Sequence, residues 1–176
     1  MLAAGMILLL GACESGSDVP TPKEPTSDSP TTPAPTATVP TMPAQATEDS
    51  SEGAAAFVKH YVDVFNYAAA TGDVEELSRL SSPDCDGCQS YIDLYRETYK
   101  VGGYFRGGDW KIGDLQLETG GPESYASTDV HLDPTKYRSE SNAAETTGPP
   151  ENSRVTFAVV GANEDKRISQ LVLGSA

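Results

Sequence analysis

The chain is short of positive charge. Twelve Lys and Arg stand against 26 Asp and Glu over 176 residues, a formal net charge of −14. From Gly53 onward there are 19 acids and 11 bases, so the excess is not confined to the N-terminal part. Nucleic acid wants a basic face, and anionic lipid wants clustered Lys or Arg. The balance argues against both for this region. Long apolar runs are missing too. The run from Leu2 to Leu10 is too short to span a bilayer, which needs about 20 apolar residues. Histidine is limited to His60 and His131, and cysteine to Cys13, Cys85 and Cys88. No second cysteine pair and no finger-spaced histidine accompanies Cys85 and Cys88, so no metal site is expected. No strand–glycine loop–helix order carrying a Lys is present, which argues against a phosphate cradle, and no cofactor is expected.

What is present at the N-terminus is an address. Leu10-Gly11-Ala12-Cys13 follows the apolar run and resembles the lipobox of bacterial lipoproteins, in which a peptidase cuts before the cysteine and the new N-terminus carries lipid. Residues 1–12 are therefore expected to be a signal peptide, and Cys13 the lipidated residue. No Lys or Arg precedes Cys13, although a signal peptide should start with positive charge. The true start is expected upstream. Residues 13–50 then run through Pro, Thr and Ser with almost no large apolar groups. Such a segment cannot bury enough surface to offset its ordering entropy, and its prolines favour an extended stalk. A single folded domain is expected over residues 51–176.

An odd cysteine count outside the cell needs an explanation. Lipid on Cys13 supplies one and leaves Cys85 and Cys88 as a pair. Residues three apart in a helical turn lie about 5 Å apart, within disulfide reach. Asp84 and Asp86 flank Cys85, and negative neighbours raise a thiol pKa, against redox activation. No strand leads into the pair as a thioredoxin-like centre requires. The expected reading is a structural disulfide, with thiol–disulfide exchange as the alternative.

Periodicity gives the rest of the architecture. Phe57, Tyr61, Phe65 and Ala68 recur at helical spacing, and Gly72 is a natural stop. Asp73 and Glu76 form a D-x-x-E capping pattern for a second helix holding Leu77 and Leu80. Ser82-Pro83 reads as the start of a third helix, about Asp84 to Tyr99, ended by Gly102-Gly103. The second half alternates instead. DWKIGDLQLE slips phase at Gly113, which suggests a bulge. SYASTDVHLD, RVTFAVVGA and RISQLVLG are three further strands. Three helices followed by about four strands make an α+β layout, with the helices packed on a curved antiparallel sheet.

These residues carry a resemblance. Phe57 and Tyr61, Thr71-Gly72-Asp73, Leu80-Ser81, Pro83, Cys85, Cys88, Gly102-Gly103, Gly107-Gly108 and Trp110 resemble the motif string of an uncharacterised family of actinobacterial lipoprotein domains. The resemblance implies architecture and address, and no activity. More distantly, the layout looks like the nuclear transport factor 2-like, or SnoaL-like, cone. That resemblance implies a pocket between the long helix and the sheet, used for catalysis in some members and for binding in others. No catalytic motif of those enzymes is recognisable.

Candidate site residues follow. His60 stands one helical turn before Asp63, a spacing that also suits a surface pair. Asp129, His131 and Asp133 share one strand face and could perform acid/base work, but Val130 and Leu132 opposite them look like core. Tyr61, Tyr67, Tyr91, Tyr95, Tyr99 and Tyr104 suit walls that are partly apolar and partly wet. The pocket candidates are His60, Tyr61, Tyr91, Tyr95, Trp110 and His131, with no residue assigned a catalytic role. The expected function is a lipid-anchored lipoprotein on the extracytoplasmic face of the cell membrane. It would bind an unknown envelope protein or small ligand without catalysis. The alternative is an acid/base enzyme of the SnoaL-like type or a thiol–disulfide protein using Cys85 and Cys88.

Overall fold

A computed structural model describes residues 37–175. The expected signal peptide, Cys13 and most of the expected stalk lie outside the described residues. Helix α1 spans Ser51–Thr71. Ser50 caps it by accepting from Gly53 N at 3.0 Å, and Glu52 places a carboxylate in the positive first turn. Phe57, Val58, Tyr61, Val62, Val64, Phe65 and Ala68 are all buried, a wider stripe than one sheet could cover. Burying each large apolar side chain contributes roughly 1.5–3 kcal/mol.

The Thr71-Gly72-Asp73 stop is a small hydrogen-bonded unit. Gly72 takes φ +75°, and a Cβ there would lie 2.2 Å from the Tyr99 ring, so both conformation and space call for glycine. Thr71 Oγ1 donates to Tyr67 O and accepts from Asp73 N. Helix α2, Glu75–Leu80, follows. The expected capping box does not form: Val74 takes the N-cap position, and Asp73 accepts from Glu75 N at 3.2 Å instead of from Glu76 N. Glu76 does not reach back; it pairs with Arg79 at 2.6 Å.

Helix α3 is Asp86–Lys100 and starts later than Ser82-Pro83 suggested. The reason is tertiary. Ser81 bridges Ile168, and Ser82 N donates to Ile168 O at 2.8 Å, which holds this stretch extended along a strand. The chain then turns, and Cys85 caps α3 by accepting from Cys88 N.

Among the described residues eight strands follow, against about four expected, in two antiparallel sheets. The main sheet holds β2 (Trp110–Ile112), β3 (Gln116–Glu118), β4 (Ser124–Leu132), β7 (Glu151–Val160) and β8 (Arg167–Ser175). Its order is β2-β4-β7-β8, with β3 also paired to β4. Ile112 faces Val130 and Gln116 faces Ser127 across that pairing. The extra residue between β2 and β3 is the phase slip expected at Gly113, whose N–H donates to Asp129 O. The smaller sheet, β1 (Tyr104–Gly107), β5 (Thr135–Arg138) and β6 (Thr146–Gly148), was not anticipated. Its strands are three or four residues long, too short to display a period of two.

The helices cover one face of the main sheet. Ala126, Thr128 and Val130 on β4 meet Val155, Phe157 and Val159 on β7, with Ile168 and Leu171 on β8. The packed chain also begins before Ser51. A 3-10 turn at Ala44–Thr47 buries Ala46, and the buried Lys166 donates its Nζ to Ala46 O and Glu48 O. Among the described residues no helix is long and apolar enough to cross a membrane.

Candidate functional site

The place to look is the space enclosed by α1, α3 and the sheet. It is filled from the helix side. Phe65 lies 4.4 Å from Trp110, 4.9 Å from Tyr91 and 5.5 Å from Tyr95, ring centre to ring centre. Tyr95 in turn meets Phe105 at 5.5 Å. Most of these contacts are edge-to-face, the arrangement aromatic quadrupoles favour. What remains is a notch of about 60 Å³ lined by Tyr91, Trp110, Val130, Leu132, Glu151, Ser153, Val155 and Leu173. A few waters fit there; organic ligands occupy cavities of roughly 300–1,000 Å³.

Trp110 is positioned by a residue the sequence reading did not single out. Asn66 of α1 donates from Nδ2 to Trp110 O at 3.1 Å and accepts from Trp110 N at 2.8 Å. One side chain thus satisfies both backbone groups at the start of β2. The signal was a polar Asn inside the otherwise apolar run Val64-Phe65-Asn66-Tyr67-Ala68.

The six pocket candidates separate. Tyr91 and Trp110 line the notch, and Tyr95 packs behind them. Burial pushes the Tyr91 hydroxyl above its ordinary pKa, and Glu151 adds to the rise; the more deeply buried Tyr95 rises further. Both are neutral phenols at physiological pH. Tyr61 is fully buried and its pKa is pushed up to about 12 by desolvation. Its hydroxyl is paired with Ser81 Oγ at 2.9 Å, and Ser81 donates onward to Leu77 O. That is a structural chain, with no free proton to give.

His60 is 1% exposed, and its Nε2 is buried without a partner. Burial lowers its pKa; Glu76 and Asp63 oppose the shift and Arg79 adds to it. The imidazole is neutral; of its charged neighbours, Glu76 and Arg79 lie on α2 and Asp63 on α1. His131 lies on the exposed face of β4. Its Nδ1 pairs with Asn152 Oδ1 at 2.9 Å, and its Nε2 is 3.4 Å from Asp133, which Lys111 also grips. Asp129 on the same face pairs with Arg154. Alternation turns this row to solvent while Thr128 and Val130 face inward, so His131 does not join the notch. Among the described residues no three His, Cys, Asp or Glu side chains converge as a metal ion would require.

Cys85 and Cys88 are disulfide-bonded, with Cα atoms 5.2 Å apart. Each is 1% exposed and belongs to the core with Leu80 and Ile92. An attacking thiolate has no route to either sulfur in the folded protein. Larger depressions open at the surface, and one of them shares Trp110 with the notch. One of about 430 Å³ is bounded by Met42, Ala44, Thr47, Arg79 and Glu164. Another of about 530 Å³ lies between Lys59, Asp63 and the Trp110–Asp114 stretch. The first carries Arg79 and Glu164, and the second Lys59, Asp63 and Asp114.

Residues 23–157 match a family of unknown function (DUF6318), and the chain belongs to that family. No curated protein matches it. Among solved structures, the chain is similar to the intermembrane space region of the chloroplast protein ARC6. Identity is 12% and the TM-score 0.52, over 72% of this chain and 98% of that one. It also matches an uncharacterized protein with a cystatin-like fold from Caulobacter vibrioides (11% identity, TM-score 0.43, 66% and 85% coverage). A third match is an NTF2-like protein with a cystatin-like fold from Novosphingobium aromaticivorans (15%, 0.38, 72% and 90%). At these identities the likeness concerns the fold alone.

Proposed function

We propose that the chain is a lipoprotein tethered through lipid on Cys13 to the extracytoplasmic face of the cell membrane, and that its α+β domain binds a protein partner without catalysis. The observation that carries this reading is the filled interior. Phe65, Tyr91, Tyr95 and Trp110 occupy the space where a ligand would sit, and the remaining notch of about 60 Å³, with Glu151 and Ser153 among its mostly apolar walls, is too small for an organic ligand. The two histidines lie apart from it, one buried and neutral, the other exposed. Binding is thereby shifted from the inside of the cone to its surface. The Pro/Thr/Ser segment before the domain supports the tether, since an extended stalk lifts a domain clear of the bilayer it is attached to.

Native mass spectrometry of the intact chain, extracted in mild detergent, tests the reading. The expected species carries a lipid mass that is lost on Cys13→Ala, and holds no small molecule at stoichiometry. A retained small molecule, or turnover that depends on His60 or Tyr91, overturns the binding-module reading. A Cys13→Ala chain that stays in the membrane fraction overturns the anchor.

A further inference from the structure

The small sheet carries an arrangement that the fold does not need. Tyr104 and Arg106 lie two apart on β1, and Arg138 and Lys136 face them across β5, so all four share one face. Both guanidinium carbons lie against the Tyr104 ring, Arg106 at 4.2 Å and Arg138 at 4.8 Å from its centre. Stacking on an aromatic ring holds a planar guanidinium in place and leaves its edge available. Neither arginine forms a salt bridge, whereas Arg79, Arg96 and Arg154 each do. Arg138 Nε is buried with no hydrogen-bond partner, and its Nη2 has only a long contact of 3.4 Å to Gly102 O. The nearby Glu145 is engaged by the Tyr104 hydroxyl at 2.6 Å and by Lys136 at 3.7 Å. Arg167 also lacks a salt bridge, but among the described residues only Arg106 and Arg138 stack on one ring, with Glu145 the carboxylate beside them.

We infer that this face of β1 and β5 docks a protein partner through a short acidic segment, with Arg106 and Arg138 each receiving a carboxylate. The inference rests on the protein-binding reading above and names its surface. Guanidinium forks match carboxylate geometry bidentately, and Arg and Tyr are the residue types that dominate protein-binding hot spots. A long polyanion would suit the same forks. It would, however, have to run past Glu145 across a molecule of net charge −14. A compact acidic knob meets Arg106 and Arg138 and has to clear only Glu145, which Tyr104 and Lys136 already engage.

The test uses the full chain in detergent and a fluorescein-labelled hexaglutamate peptide, followed by anisotropy at low salt and by the arginine Nε–Hε resonances. Saturable binding is expected, with the Arg106 and Arg138 resonances shifting and affinity falling steeply as salt rises. The double variant Arg106→Gln/Arg138→Gln should bind at least about tenfold more weakly, with Trp110 emission unchanged as the check on folding. Arg106→Lys/Arg138→Lys keeps the charge and removes the forks, and it should also lose affinity. Equal binding by either double variant overturns the proposal, as does an absence of shifts at the two arginines. Tighter binding of charge-matched polyphosphate than of peptide would assign the face to a polyanion and equally overturn it. A small molecule found by native mass spectrometry would defeat the parent reading without touching these titrations.

Discussion

Asn66→Ala should loosen the join between α1 and the sheet. The side chain makes two hydrogen bonds to the Trp110 backbone, at 2.8 and 3.1 Å. Each is worth about 0.5–1.5 kcal/mol net, and the stranded N–H and C=O would add more if water could not reach them. Asn66 is half-buried, so water replaces part of the loss, and about 2 kcal/mol is the expected cost. For a domain of this size that lowers Tm by roughly 6–8 °C. The chain has a single tryptophan, and it is the residue being released. Its emission should therefore shift to the red in Asn66→Ala before global unfolding by circular dichroism begins. Asn66→Asp sharpens the test. A carboxylate can accept from Trp110 N but has no proton to donate to Trp110 O, whereas the protonated acid has. The folded state then raises the Asp pKa above its unfolded value of about 3.9. The associated stability is fully present below that value and is lost as pH rises through the raised folded pKa. The gap between wild type and Asn66→Asp should narrow as pH falls from 7 toward 4. An Asn66→Ala protein within about 0.5 kcal/mol of wild type, with unaltered emission, would refute the clamp.

Gly87→Ala should cost about 2–3 kcal/mol in urea unfolding, because the new Cβ would sit 2.1 Å from Leu171 O and push α3 off β8; a neutral result would show that the contact yields. Replacing Cys85 and Cys88 together by Ser should cost about 2 kcal/mol, the small contribution of a very short closed loop. The wild-type bridge, 1% exposed at each cysteine, should survive millimolar dithiothreitol until the protein unfolds; free thiols appearing under native conditions would return the redox reading. His60 has a lowered pKa in the fold, so the unfolded chain takes up its proton first. Stability is retained above the unfolded pKa of about 6.5 and declines as pH falls below it. His60→Leu should flatten that decline between pH 7 and 5, and an unchanged profile would place the pH dependence elsewhere.

The features legible in the sequence are those whose cause is local. The apolar stripe of α1, the Gly72 stop and the phase slip at Gly113 each follow from a handful of neighbouring residues, and each lies where expected. What was missed has its cause far along the chain. The start of α3 is set by Ile168, Asn66 answers to Trp110, and the burial of Ala46 depends on Lys166. The tyrosines show why a site is harder to read than a fold. A phenol suits a wet wall and a dry core equally, and the choice is made by the partner its hydroxyl finds. Ser81 claims Tyr61, and the Ala69 carbonyl claims Tyr99. The aromatic residues that looked most like a pocket are the ones the fold consumes as filling. Arg106 and Arg138 carried no signal, because scattered bases in an acidic chain read as solvated charge. Only the pairing of β1 with β5 brings them onto one ring. The filled interior is set by contacts along α1 and α3, and the cationic face by strand pairing, so the two features on which the protein-binding proposal rests have long-range causes.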